Sequence, residues 1–340
     1  MRRPSKLVPP RIPICLSSRQ AEAYATADDS HRLHRLRRNS YVALPKNAQP
    51  HAIARARHLA AAQLVHDGMA LTHTFVRESA AILHGLRVWR TPRCVEVGVP
   101  PGSSGNPSGL ARRHRTVIPE SHLDAAAGLP VTTIDRTVLD IARFSHPGEA
   151  LIPLDHFLSV ATRAYLGERE RTDTRATELK NHLLEMLGRL PPGSPGIRRA
   201  RAVIEHASPW AESPWETRLR WILLLAGFTS VELQVEVRIG GQRYRSDLAI
   251  PIGRRPDGRT IWLHIEFDGR IKYGRGSADA TSETMRRERE RELSITGTRD
   301  RLVRFTADEL TDHASVVAKI REQLADIALP PLRPVRSLAA

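Results

Sequence analysis

Residues 260–268, Thr-Ile-Trp-Leu-His-Ile-Glu-Phe-Asp, form the stretch that decides the fold of the C-terminal third of the chain. Its residues alternate between two faces, as they do along a β-strand. One face carries Ile261, Leu263, Ile265 and Phe267, and the other carries Trp262, His264, Glu266 and Asp268. The strand period therefore predicts that Glu266 and Asp268 project from the same side, about 7 Å apart.

Two further strand-like runs, 231–239 and 242–250, come before this stretch and are joined by Gly240-Gly241, which is typical of a hairpin. Asp247 lies near the end of the second run, so pairing of the strands would bring it toward Glu266 and Asp268. Converging carboxylates repel one another, and hard oxygen ligands without a cysteine cluster favour Mg²⁺ or Mn²⁺. A structural role is the alternative, since an Asp-Gly pair also ends strands at turns.

A helix is predicted just upstream of the hairpin. Ser213 is a good N-cap, Pro214 suits the first helical position, Glu216 completes a capping box, and Gly227 ends the helix. Capping accounts for Glu216, and it is compatible with a functional role directed toward the sheet.

Downstream of Asp268, the sequence predicts a loop, a highly charged helix over 278–296, a strand over 301–306 and a closing helix over 313–327. Lys272 lies in the loop, where a cation beside carboxylates can stabilise developing negative charge or orient water. A solvated loop lysine is the alternative interpretation.

The chain of 340 residues has a formal net charge of +15, which favours polyanionic partners. Residues 1–60 hold twelve Lys or Arg and three acidic residues. Arg35, Arg37 and Arg38 are predicted to contact DNA phosphates, and solvated surface charge is the alternative. Only two cysteines are present, so a disulfide framework is excluded and a cytoplasmic location is expected. No apolar run is long enough to span a membrane.

Three domains are predicted: a basic segment over 1–50, an α+β domain over 51–190 and an α/β domain over 197–330. The boundary between the last two is the Pro- and Gly-rich segment 190–196, LPPGSPG.

The C-terminal block is similar to very-short-patch-repair-like endonucleases of the PD-(D/E)XK superfamily over residues 212–310. The motifs are ESPWETRLRWILLLAGF, YRSDLAI, IEFDGRIKYG and RLVRFT. The resemblance implies a restriction-endonuclease-like mixed sheet flanked by helices, and Mg²⁺-dependent hydrolysis of phosphodiester bonds. It implies Asp247 and Glu266 as metal ligands, Asp268 as a third acid, Glu216 as the acid of the first helix, and Lys272 as a basic residue. The superfamily's Glu-x-Lys would place lysine at 268, where this chain has aspartate.

The upstream part resembles AbiEi-type antitoxin regulators in the stretches HRLHRLRRNSYVALP (31–45), THTFVRESAAILHGL (72–86) and GLPVTTIDRTVLDIAR (128–143). The resemblance implies a degenerate winged-helix-like N-terminus, a mainly helical region, DNA binding and a cognate toxin as a candidate partner. Ser79, His84 and Gly85 match a family signature without assigned chemistry, and His84 is predicted to have a structural role.

Two hypotheses follow. The first is a Mg²⁺-dependent endodeoxyribonuclease tethered to a basic DNA-binding module, which the presence of Asp247, Glu266 and Asp268 together favours. The alternative is a non-catalytic AbiEi-like antitoxin or transcriptional regulator that binds DNA through its basic N-terminus. RNA as the substrate and the oligomeric state stay open.

Overall fold

The computed structural model describes residues 7–27, 29–104, 109–239, 242–268, 300–328 and 331–339. The chain divides into two compact units, Met1–Pro209 and Trp210–Ala340. In the part described, no helix is both long and apolar enough to cross a bilayer.

The first unit begins with a helix and a hairpin. Its elements are α1 (Ser18–Ala27), β1 (His31–Arg37), β2 (Ser40–Pro45) and α2 (Pro50–Gly68). The strands are antiparallel, with Arg35 opposite Tyr41. Asn39 takes a left-handed conformation (φ 59°) that suits a short polar turn residue. Residues 7–27 contain a single helix, so the helix-turn-helix part of the expected winged helix is not seen in this described stretch.

A five-stranded mixed sheet follows, in the order β5-β4-β3-β7-β6. Its strands are β3 (Thr74–Phe75), β4 (Val95–Val99), β5 (Ala111–Arg115), β6 (Leu123–Ala126) and β7 (Leu129–Thr132), with α3 (Arg77–Leu83) between β3 and β4. The β4–β5 and β3–β7 pairs are parallel, and the other two pairs are antiparallel. Buried Phe75, Ile82, Val97 and Val131 form part of the core beneath α3.

The remainder of this unit is helical: α4 (Ile134–Phe144), α5 (Pro147–Thr162), α6 (Arg169–Gly188) and α7 (Ile197–His206). The sequence predicts helix over 149–190, and the structure breaks it where Arg163 adopts a left-handed conformation (φ 53°).

The predicted domain boundary at Leu190–Gly196 differs from the observed division, because α7 contacts α4, α5 and α6 within the first unit. Gly196 has φ 80°, and a Cβ at this position would collide with the carbonyl oxygen of Arg143. The Pro- and Gly-rich segment is thus a turn within the first unit. The second unit begins at Trp210 rather than at 197.

The second unit is mixed α/β. Its elements are α8 (Pro214–Ala226), β8 (Glu232–Ile239), β9 (Gln242–Arg254), β10 (Thr260–Phe267), β11 (Arg301–Phe305) and the final helix, called α9 here (His313–Gln323). The sheet order is β11-β10-β9-β8, antiparallel except for the parallel β10–β11 pair. Helix α8 begins and ends as the sequence predicts, with a capping Ser213 and a left-handed Gly227 at φ 98°. The predicted charged helix 278–296 lies outside the described residues.

Candidate functional site

The first turn of α8 places Glu216 against the sheet of the second unit. The Ser213 hydroxyl accepts a hydrogen bond from the Glu216 N–H at 3.2 Å, as a capping box requires. The Glu216 carboxylate accepts from the Glu212 N–H at 2.9 Å, one residue before the N-cap. Trp215 stacks on Phe267 with ring centroids 5.1 Å apart, which fixes this turn against the end of β10.

Asp247 and Glu266 come from the neighbouring strands β9 and β10. Ile265 lies opposite Leu248 in the antiparallel register, so the next positions along the two strands bring these acids side by side. Asp247 Oδ2 accepts a hydrogen bond from the Phe267 N–H at 2.9 Å. Glu266 lies opposite Arg304 of β11, whose Nε donates to Glu266 Oε2 at 3.2 Å. The expected approach of Asp247 to Glu266 is therefore present.

The carboxylates affect one another's protonation. Burial raises the pKa of Glu216 to about 7, and the negative charge of Asp247 adds to the rise. The pKa of Asp247 is also raised, first by burial and then by the charges of Glu266 and Glu212, against the opposing Phe267 N–H. Glu216, Asp247 and Glu266 thus form an acidic cluster, and this name is kept for the three residues below.

Sequence reasoning missed three residues around the acidic cluster: Glu212, Gln234 and Arg304. Gln234 is fully buried, has a left-handed backbone (φ 55°) and donates from Nε2 to Glu216 Oε2 at 3.0 Å. Its Oε1 is buried without a hydrogen-bond partner among the described residues. The polar Gln234 between the apolar Leu233 and Val235 is a sequence signal that could have identified it.

Asp268 follows β10, and its N–H donates to the Phe305 carbonyl oxygen at 2.9 Å. Lys272 lies outside the described residues. Within the described residues, no three His, Cys, Asp or Glu side chains are grouped so that they could hold a metal ion. Arg304 is paired with one of the expected ligand oxygens, since its Nε lies 3.2 Å from Glu266 Oε2.

A second polar chain in this unit crosses three segments. Ser246 Oγ lies 2.9 Å from His264 Nδ1, and His264 Nε2 lies 3.7 Å from Asp300 Oδ2. Asp300 also accepts from the Trp262 N–H and from Arg255, both at 3.1 Å. The three chain members are at most 4% exposed, so we assign them to fixing β9, β10 and the start of β11.

In the first unit, the β1–β2 hairpin exposes all three arginines predicted to bind DNA: Arg35, Arg37 and Arg38. Two of them have local contacts: Arg35 Nε donates to the Arg37 carbonyl oxygen, and Arg37 Nε donates to Ser40 Oγ, both at 3.4 Å. The hairpin thus presents cationic side chains at one turn.

The signature residues of the upstream resemblance are structural. Ser79 Oγ lies 2.9 Å from His58 Nε2 and accepts from the Glu96 N–H at 2.8 Å. His84 is buried, with Nε2 2.7 Å from the Thr132 carbonyl oxygen, which confirms its predicted packing role. Gly85 has φ 86°, and a Cβ there would come within 2.6 Å of the Val8 carbonyl oxygen.

Comparisons with known proteins bear mainly on the first unit. No curated protein matches the chain. A crystal structure of the RV2827C protein from Mycobacterium tuberculosis is similar at 12% identity over 65% of this chain and 84% of that chain, with a TM-score of 0.31, too low to carry an argument. The comparisons add no support for the endonuclease resemblance of residues 212–310. The family model of the AbiEi antitoxin C-terminal domain matches residues 73–186, and this stretch, from β3 into α6, is therefore similar to that domain.

Proposed function

We propose that this chain is a DNA-binding regulator of the AbiEi antitoxin type, with a cognate toxin as a second partner. The observation that carries the proposal is the match of residues 73–186 to the AbiEi antitoxin C-terminal domain. The excess of positive charge in the first 60 residues supports DNA as the ligand, because neutralised phosphates release condensed counterions.

The hairpin arginines are the proposed phosphate contacts. Arg35, Arg37 and Arg38 are exposed at the turn between two paired strands, so their guanidinium groups can reach a DNA backbone without unfolding the unit. Contacts of this kind position a protein on a duplex and do not depend on sequence.

The test measures duplex binding by fluorescence anisotropy between about 50 and 200 mM salt. Replacing all three arginines by glutamine should reduce the slope of log K against log salt by up to about 2.7, since each phosphate contact contributes about 0.9. The matched control replaces by glutamine Arg175 on α6, Arg189 directly after α6 and Arg201 on α7, which are all exposed. An unchanged slope in the hairpin variant, or an equal loss in the control, rejects the hairpin as the DNA contact.

The antitoxin part is tested separately by sequencing the neighbouring genes and co-expressing the chain with the product of any nucleotidyltransferase-like gene found there. Relief of growth arrest by the wild-type chain supports this part of the proposal. Failure of relief, together with failure to co-purify with that toxin, rejects it.

A metal-dependent endonuclease is the second candidate function, and the acidic cluster favours it. The second unit has a helix before a mixed sheet, and this coarse α/β arrangement supports the candidate. The mutual repulsion of Glu216, Asp247 and Glu266 is a second support, because a divalent cation relieves it.

The donor set fits Mg²⁺ or Mn²⁺ in chemistry: carboxylate oxygens, with the unpartnered Oε1 of Gln234 nearby in the hydrogen-bonded network. Asp247, Glu266 and Asp268 are the ligands that the endonuclease resemblance implies, and their side chains would have to move together around a cation, because the described residues are not grouped as a metal site. A bound cation would polarise a phosphate and activate water. Glu216, with its pKa of about 7, can hold or release a proton near neutral pH. Arg304 balances the charge of Glu266.

The nuclease test incubates purified protein with duplex, single-stranded and branched DNA, with Mg²⁺ or with EDTA. Cleavage should require Mg²⁺, and Asp247→Asn should lower its rate by at least about 100-fold, the lower range for loss of an acid–base or metal-binding group. Asp257→Asn is the matched control, since Asp257 lies exposed in the loop before β10. Absence of Mg²⁺-dependent cleavage by the wild-type protein removes this candidate and leaves the regulator.

A further inference from the structure

The first unit contains a cavity of about 870 Å³ between the edge strand β5 and helix α4. Among the residues that the structure describes, its walls include six arginines and one acidic residue, Asp140. The arginines are Arg77, Arg112, Arg113, Arg115, Arg136 and Arg143. Neither the DNA-binding hairpin nor the acidic cluster contributes a residue to it.

Two of these arginines are fixed by Asp140 on the same helix. Arg136 Nε lies 2.7 Å from Asp140 Oδ2, and Arg143 Nη1 lies 3.4 Å from Asp140 Oδ1. Arg143 also donates from Nε and Nη2 to the Pro195 carbonyl oxygen at 3.2 and 3.1 Å. Their side chains are only 12% and 8% exposed, so α4 holds two guanidinium groups in defined positions.

Arg77 forms the next part of the wall. Its guanidinium lies 4.3 Å from the centroid of the Phe144 ring, and that of Arg143 lies 4.5 Å from the same ring. Arg77 has a left-handed backbone (φ 50°), a conformation that non-glycine residues rarely adopt. Strained backbone of this kind persists where surrounding structure holds it and is frequent at ligand sites.

The opposite wall is the edge strand β5. Arg112 and Arg115 are exposed, and Arg113 and His114 are partly buried between them. His114 Nε2 lies 3.2 Å from Glu96 Oε1, so the contact with Glu96 on the neighbouring strand β4 holds the imidazole in place. The six arginines and one aspartate leave the lining with five positive charges in excess.

We infer that this cavity binds a phosphate-bearing small molecule of about nucleotide size. Guanidinium groups bind phosphate oxygens through two parallel hydrogen bonds, and pre-positioned guanidiniums lose little entropy on binding. Like-charged walls concentrate the electrostatic field inside a cleft and attract anions. The volume lies in the range of small-ligand sites, about 300 to 1,000 Å³. The inference is independent of the proposed DNA and metal chemistry.

The test uses the full chain and isothermal titration calorimetry at constant ionic strength, with inorganic tripolyphosphate, ATP and GTP as probes. A 12-nucleotide single strand is titrated in parallel. Saturable binding of tripolyphosphate or either nucleotide with one site per chain supports the inference. A preference for a nucleotide shows that the base is recognised, whereas equal affinity shows recognition of phosphate alone.

The diagnostic variant is Arg77→Gln with Arg112→Gln. Neither residue is buried. Glutamine at position 77 has to adopt the same left-handed backbone conformation as arginine, so the substitution adds no new backbone strain. Affinity should fall at least tenfold. The control, Arg175→Gln with Arg201→Gln, removes the same charge from the solvent faces of α6 and α7 and should change affinity less than twofold.

Cys94 lines the cavity and reports where the ligand binds. In a Cys15→Ser background, saturating tripolyphosphate should slow alkylation of Cys94 by uncharged iodoacetamide at least threefold. The inference is overturned by any of four results: no saturable binding, equal losses in variant and control, binding without protection of Cys94, or binding of the 12-nucleotide strand alone.

Discussion

Glu78 in the first unit and Glu216 in the second are glutamates whose pKa burial raises to about 7, but their neighbours respond differently. Glu78 shares a hydrogen bond with Glu96 and accepts one from the Ser145 hydroxyl. Burial raises the pKa of Glu96, but hydrogen bonds with His114 and Glu78 and the charge of Arg77 bring it below its ordinary value. One carboxyl of this pair therefore keeps its proton while the other is ionised.

In the acidic cluster, by contrast, two of the carboxyls have a raised pKa. The pKa of Asp247 is raised like that of Glu216, and each acid of the cluster adds to the repulsion. The Glu78–Glu96 pair holds one proton between its two carboxyls, whereas Glu216 and Asp247 repel one another when both are ionised, and a cation would relieve that repulsion. The acidic cluster, rather than the Glu78–Glu96 pair, is therefore the place to test the proposed cation binding.

The largest expected effect is the change in the pH dependence of the free energy of unfolding when Glu216 is replaced. Its folded-state pKa is raised, so the folded protein binds more protons than the unfolded chain, and stability falls as pH rises from about 4.5 through about 7. Glu216→Gln mimics the protonated form. In EDTA, the variant should match the wild type at about pH 4 and exceed it by roughly 3 kcal/mol near pH 8, from 1.36 kcal/mol for each pKa unit.

Tryptophan fluorescence during urea unfolding measures this change, because four of the five tryptophans lie in the second unit. Glu232→Gln is the comparison variant, since Glu232 is exposed on β8 and lies outside the acidic cluster. A pH response in Glu216→Gln equal to that of the wild type would show that the cluster does not hold its protons as described.

The same experiment on Glu78 should give a smaller effect of the same sign. Its raised pKa predicts loss of stability as pH rises toward and through 7, but the lowered pKa of Glu96 works in the opposite direction over the acidic range. Glu78→Gln should stabilise the first unit near pH 8 by less than Glu216→Gln stabilises the second. Hydrogen exchange of α3 and β4, followed by mass spectrometry, measures this locally. A larger stabilisation near pH 8 by Glu78→Gln than by Glu216→Gln would contradict the proposed difference between the two sites.

The features that the sequence predicted well depend on residues close together in the chain, such as the caps of α8. Ser213, Pro214 and Gly227 define α8 because caps depend on backbone groups a few residues away. Strand alternation placed Asp247 near Glu266. Arg304 could not be foreseen beside Glu266, because parallel pairing of β10 and β11 joins residues 38 positions apart. Segment 190–196 misled the domain assignment, since proline and glycine mark the end of a helix whether or not a domain ends there.

The smallest effect tests the contact that connects Glu78 to the end of α4. The Ser145 hydroxyl donates to Glu78 Oε1, and this bond lowers the pKa of Glu78 against the larger effect of burial. Ser145→Ala should destabilise the first unit by about 1 kcal/mol, the usual net value of one hydrogen bond, and should raise the pH at which stability is lost. Thr174→Ala is the control, because its hydroxyl donates to the Glu170 carbonyl oxygen on the exposed face of α6. Calorimetric unfolding of both variants from about pH 5 to 8 measures the difference. A midpoint that stays at the wild-type pH in Ser145→Ala would show that burial and Glu96 set the protonation of Glu78 without a contribution from the Ser145 hydroxyl.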